Sequence, residues 1–160
     1  MTTIPSGRQA QRVSTVLSSP GLIRLVSEID DHGAIPERGL ARTLSDLSTH
    51  QIRQATEQAR VLGLLDRSHT GLELSAAGQE LADVYDATAR WARRHNRPSR
   101  FGDFAGRIRH TVALLHEPAP TEGSADNEPD AELAHVRRLL TEWIDAHQPP
   151  QDRGTYGVAA

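Results

Sequence analysis

The sequence predicts a mainly α fold carrying a small β-hairpin, with additional helices towards its C-terminus. The prediction rests on three features between Pro36 and Gly78. Leu40, Leu44 and Leu47 recur at helical spacing ahead of Ser48. From Thr49 to Leu62, Ile52, Ala55, Ala59 and Leu62 line one helical face. Ser48 is placed to take up an orphan N–H of that helix, and Gly63 to end it. Finally, Leu64-Leu65-Asp66-Arg67 reads as a strand, Ser68-His69-Thr70-Gly71 as a turn and Leu72-Glu73-Leu74 as the return strand. A helix, a turn, a second helix and a two-stranded wing in that order make a winged helix-turn-helix.

Taken in order, residues 1–10 are polar and expected to be disordered. Val13, Val16 and Leu17 suggest a short helix packed on the body. Ser18-Ser19-Pro20 stops it and opens the next one, with proline at the first helical position. Leu22, Ile23, Leu25, Val26 and Ile29 give that helix a broad apolar face, and Asp30-Asp31-His32-Gly33 closes it. Ala34-Ile35 fits a short extended piece. After the hairpin, Ser75 caps a long helix expected to run to about Asn96.

Along this long helix Ala77, Leu81, Val84, Thr88 and Trp91 are spaced four, three, four and three apart. That is the narrow seam of a coiled-coil-like contact, with Tyr85 and Ala92 flanking it. Arg97-Pro98-Ser99 breaks the helix. A further helix is expected from Gly102 to His116, with Phe101, Phe104, Ile108, Val112 and Leu115 on one side. Residues 117–130 hold three prolines, and every charge among them is acidic, so they read as a flexible linker. A last amphipathic helix, about Ala131 to His147, aligns Leu133, Val136, Leu140 and Trp143, joined by Leu139 and Ile144. Pro149-Pro150 ends it and residues 149–160 form a tail.

Composition narrows the function classes. A chain of 160 residues suits one domain with an appendage, and with 4% aromatic residues its core must be aliphatic. The absence of cysteine excludes disulfides, thiolate metal sites and cysteine catalysis. No apolar run approaches the roughly 18 residues of a membrane span, and Met1 to Arg12 lack the apolar core of a signal peptide. A cytoplasmic location without a membrane role is expected. Catalysis finds no support either: there is no glycine-rich phosphate loop, nucleophile elbow or paired carboxylate motif. No cofactor is implied.

The run from Leu47 through Trp91 resembles the HxlR-type winged-helix regulators of bacteria, relatives of the MarR group. The likeness lies in Ser48 opening the second helix, Gln54 within it, Gly63-Leu64 after it and Asp66-Arg67 before the wing. It continues through Leu74-Ser75-Ala76-Ala77-Gly78 and Trp91, with Ser75 where that family usually carries threonine. The wing is shorter than is usual there, and the residues after about Arg97 have no counterpart in a minimal member. The resemblance implies a dimeric transcription factor, with the helices outside the motif forming the dimer. It names no effector, so a small-molecule or protein effector stays open.

A major groove about 12 Å wide admits one helix, read by side chains from its N-terminal half. Helix 48–62 would therefore offer Ser48, Thr49, His50, Gln51, Arg53 and Gln54 to double-stranded DNA. Arg53 suits guanine and Gln54 adenine. Arg38, Arg42 and Arg60 would lie nearer the phosphates, and Arg67 and His69 would carry the wing, 64–74, onto the adjacent backbone. The alternative is a simple solvated face. From residue 36 to 71, five arginines face four carboxylates, a net of only +1, which implies few phosphate contacts and dependence on a dimer.

The basic surplus lies downstream. Seven arginines between residues 90 and 109 face only Asp103. They could touch flanking DNA, receive the acidic linker or simply be solvated at a helix end. Eight histidines raise a metal site, but His110 and His116 stand six apart, on different faces of a helix. The faces around Trp91 and Trp143 suit either a ligand pocket or, by preference, an interface.

The expectation is a dimeric repressor on a palindromic operator with half-sites about 34 Å apart. Leu22, Leu81, Val84, Tyr85, Thr88, Trp91, Leu140 and Trp143 would meet the second copy. The alternative class is a winged-helix protein-interaction module without sequence-specific DNA binding.

Overall fold

The computed structural model of the chain describes residues 7–95, 104–115 and 128–148. Among these, α1 (Gly7–Leu17) and α2 (Pro20–His32) are followed by a 3-10 turn, Glu37–Gly39, and a single-turn α3 (Leu40–Thr43). Then come α4 (Thr49–Val61), an antiparallel hairpin of β1 (Leu65–Ser68) and β2 (Gly71–Leu74), and three helices, α5 (Ala76–Arg94), α6 (Phe104–Leu115) and α7 (Glu128–His147). The chain is mainly helical with one small two-stranded sheet.

The core forms around α2, whose Leu22, Ile23, Leu25, Val26 and Ile29 are all buried. They pack against the inner face of α4, where Ile52, Ala55 and Ala59 point inward at helical spacing, and against α5 and α6. Gly33, at φ 84°, ends α2 with its N–H on the Ile29 carbonyl. Ile35 then exchanges both backbone hydrogen bonds with Leu72, at 2.9 and 2.8 Å, as the expected extended piece beside the hairpin. Gly71 makes this approach possible. A Cβ there would lie 2.3 Å from the Ile35 carbonyl oxygen, and its φ of 134° already disfavours a side chain.

The helix expected ahead of Ser48 is much shorter than its leucine spacing suggests. After Thr43 the backbone leaves the helix at Leu44 (φ −102°, ψ 52°), and Leu47 reaches the core from a turn. That turn is fixed by a two-pronged ion pair, with Arg24 Nε and Nη2 donating to Asp46 at 2.9 and 3.0 Å. The same contact holds the Asp46 carboxyl below its ordinary range.

At the N-terminus, helix α1 starts at Gly7, so residues 7–10 are ordered within it rather than part of a disordered tail. At the linker, Glu128 and Asp130 belong to the first turn of α7, where Pro129 is tolerated. Residues 1–6, the Arg97-Pro98-Ser99 break, Phe101, linker residues 117–127 and the tail lie outside the described residues.

The α5 seam is covered by the chain itself. Ser75 caps α5 by accepting from Gly78 N–H, and α6 and α7 pack along the helix through Ile108, Val112, Val136, Leu140, Trp143 and Ile144. Leu22, Leu81, Val84, Tyr85, Thr88, Trp91, Leu140 and Trp143, expected to face a second copy, are each at most 7% exposed here. They form protomer core. The Tyr85 hydroxyl donates to the Leu17 carbonyl at 2.5 Å, and Trp143 Nε1 donates to the Ala77 carbonyl at 2.9 Å. An apolar stripe requires cover, whichever chain supplies it, and here α6 and α7 supply it.

Candidate nucleic-acid interface

The first turn of α4 is built locally. Ser48 Oγ accepts from Gln51 N–H at 3.1 Å while Gln51 Oε1 accepts from Ser48 N–H at 2.8 Å, a reciprocal capping box. Gln51 is therefore committed at its carbonyl oxygen to the helix start, and the Ser48 hydroxyl likewise. With Ile52, Ala55 and Ala59 turned inward, Thr49, His50, Arg53, Gln54, Glu57 and Arg60 are exposed on the outer side. The positive end of the helix dipole lies at the same end as Thr49 and His50.

An open groove of about 420 Å³ runs between α3 and α4 and collects Arg53, Arg60 and Arg67. It also collects two carboxylates that oppose them. Arg60 pairs with Glu57 at 3.0 Å, and Arg67 pairs with Glu37 at 3.0 Å across from the hairpin. Arg38, Arg42 and Arg53 are exposed and have no carboxylate within 4 Å among the described residues. Of the five arginines read as DNA-facing, three are thus unpaired and two are neutralised in place.

The hairpin divides its charges by face. Leu65 pairs with Leu74 and Arg67 with Leu72, so Arg67 extends from the face that meets the body. Asp66 stands opposite Glu73 on the other, exposed face, a like-charge pair that would repel a phosphate. His69 and Thr70 make the exposed tip, where Ser68 Oγ accepts from Thr70 N–H at 3.2 Å. The tip and the Arg67 edge are the parts of the hairpin suited to an anion.

Two features of this region escaped the sequence reading. The Ser48-x-x-Gln51 spacing is itself the signature of a capping box and was available to it. Val61, 75% exposed near the end of α4, borders an apolar depression of about 490 Å³ with Val16 and Leu62, and carries no sequence signal beyond lying off the buried face.

The downstream basic cluster is partly consumed within the chain. Arg94 Nη1 lies 2.6 Å from Glu132 of α7, and His95 Nε2 lies 3.0 Å from the same carboxylate. The His95 hydrogen bond, and after it Arg94, holds the Glu132 carboxyl below its ordinary range. Arg90, Arg93 and Arg109 are exposed, while Arg97 and Arg100 lie outside the described residues. At the other end of the α5–α7 contact, His147 Nε2 meets Glu80 at 2.5 Å, and Gln148 donates to the Leu62 carbonyl at the end of α4. Among the described residues no group of three or more His, Cys, Asp or Glu could hold a metal ion, and no helix is long and apolar enough to cross a membrane. Comparison of the chain with models of known families, with curated proteins and with solved structures found no match.

Proposed function

We propose that the protein is a winged helix-turn-helix transcriptional regulator, a two-fold dimer that binds double-stranded DNA and represses from a palindromic operator. The observation that carries this reading is the outer face of α4. It is a thirteen-residue helix capped at its start, backed by a buried face, and exposing Thr49, His50, Arg53 and Gln54, with unpaired Arg38 and Arg42 on the 3-10 turn and α3 that precede it. Arg53 and Gln54 are the base readers in this scheme. Arg38 and Arg42 meet phosphates, and the His69 tip with the Arg67 edge leans on the neighbouring backbone. The likeness of residues 47–91 to HxlR-type regulators supports the same assignment.

The test is fluorescence anisotropy with DNA from upstream of the protein's own gene, against unrelated competitor. Arg53→Ala with Gln54→Ala should abolish the preference for that DNA, each lost base pairing costing about 1–3 kcal/mol. Binding that never exceeds binding to unrelated DNA would sink the proposal. The low net charge of the groove and exposed Val61 favour a second reading, a protein-interaction module. In that case the same double substitution would spare DNA binding and remove a protein partner.

A further inference from the structure

The outward side of α5 has a charge order of its own. Its exposed positions include Asp83 and Asp86, followed towards the C-terminal end by Arg90 and Arg93. At about 100° per residue these four fall within an arc of about 80°. None of them makes an ion pair within 4 Å among the described residues. From Asp83 to Arg93 no other residue of α5 is exposed. Glu80 and Arg94, at the α7 edge, are already engaged by His147 and Glu132.

We propose that this face of α5 docks on the same face of a second copy of the chain, the two helices running antiparallel about a two-fold axis that passes beside Thr88. Antiparallel pairing reverses the order of charges. Asp83 of each copy then faces Arg93 of the other, both five residues from the axis, and Asp86 faces Arg90, both two residues from it. One patch thereby complements itself, as an isologous interface requires. Parallel pairing would set acid against acid and base against base.

The isolated protomer leaves this face electrostatically strained. Burial, and after it Asp30, Asp31 and Asp83, pushes the Asp86 carboxyl above its ordinary range, with Arg90 acting in the opposite direction. Burial, and after it Asp31 and Asp83, raises the Asp30 carboxyl at the end of α2 as well. Basic side chains arriving from a second copy relieve that repulsion. The proposal rests on the reading of the protein as a two-fold dimer and moves the contact from the buried seam to the opposite side of the helix.

The experiment is sedimentation equilibrium on the full chain without DNA, across a range of salt. The wild type should sediment at twice the chain mass at low salt and dissociate as salt screens the pairs. Asp83→Arg with Asp86→Arg should weaken self-association by more than about tenfold, as should Arg90→Glu with Arg93→Glu, since like charges then face each other. Mixing the two variants should restore a dimer, and so should all four changes in one chain. Restoration shows that the single-side variants are folded. A dimer whose strength ignores both double substitutions would overturn this interface while leaving the dimeric reading intact. A wild type that remains monomeric at low salt would overturn both.

Discussion

Glu37→Gln should make the protein bind DNA more tightly, although it removes an ion pair. The Arg67–Glu37 pair spans 3.0 Å between side chains that are 72% and 52% exposed, so its worth is limited to about 0–1 kcal/mol. A phosphate approaching Arg67 must displace that carboxylate and also suffers its repulsion. With Arg38 and Arg42 unpaired, the proposed dimer brings about four phosphate-facing cations to the duplex, for a slope of log K against log salt of about −3.6. Releasing Arg67 in both protomers adds about two phosphate contacts and steepens the slope by about 1.8. Affinity at low salt should rise by up to about 30-fold, the equivalent of about 2 kcal/mol per dimer. Anisotropy titrations between 50 and 200 mM salt on wild type and variant would read both quantities. A variant that binds more weakly, or with an unchanged slope, would refute the placement of Arg67 on the DNA backbone.

Other perturbations test the scaffold. Ser48→Ala removes the hydroxyl half of the capping box, leaving the backbone N–H of residue 48 on Gln51, and should cost about 1 kcal/mol, lowering Tm by about 2–4 °C, with faster amide exchange confined to the first turn of α4. Gly78→Ala should destabilise by about 1–2 kcal/mol in urea unfolding even though alanine normally favours a helix by roughly 0.5–1 kcal/mol. The new Cβ would lie 2.3 Å from the Leu64 carbonyl oxygen, a backbone atom that also receives Ser75 N–H and cannot step aside; a gain in stability would contradict this contact. Asp46→Asn tests the turn before α4 through pH. Because Arg24 lowers the Asp46 carboxyl below its ordinary 3.8, its contribution is complete above that value and disappears as pH falls through the folded value. The stability gap between wild type and Asp46→Asn should therefore close on acidification, and a gap indifferent to pH would argue against the pair.

What could be read from the residues was mostly what is decided within a turn or two of chain. Ser48 and Ser75 were legible as caps because each acts on a backbone N–H three residues on. Gly63 takes φ 71° after α4, as a helix-ending glycine does. Leu40, Leu44 and Leu47 misled because the same spacing serves a continuous helix and a single turn whose following loop folds back to the core. The α5 stripe was legible as covered, but Leu81 and Trp91 carry no mark saying whether α7 or another chain covers them. In the candidate site the cations were visible and their neutralisation was not. Glu37 meets Arg67 only after the hairpin has paired, thirty residues away, so the net of +1 hid which arginines stay free.

The grip of α7 on the rest of the molecule also bears on how the chain reaches its final state. Its anchors, Trp143 to Ala77, His147 to Glu80 and Gln148 to Leu62, close 66, 67 and 86 residues. Closing such loops costs entropy before any contact rewards it, and α7 packs mainly on α5 and α1, whereas α2, α4, α5 and the hairpin also pack on one another and can assemble without it. Pulsed hydrogen exchange during refolding should find the amides of α7 the last to gain protection. In that interval the Leu81–Val84–Trp91 stripe stands open, and at high concentration the α7 of a neighbouring molecule can occupy it instead. The same stripe that completes the protomer is then the place where refolding chains exchange helices and tangle.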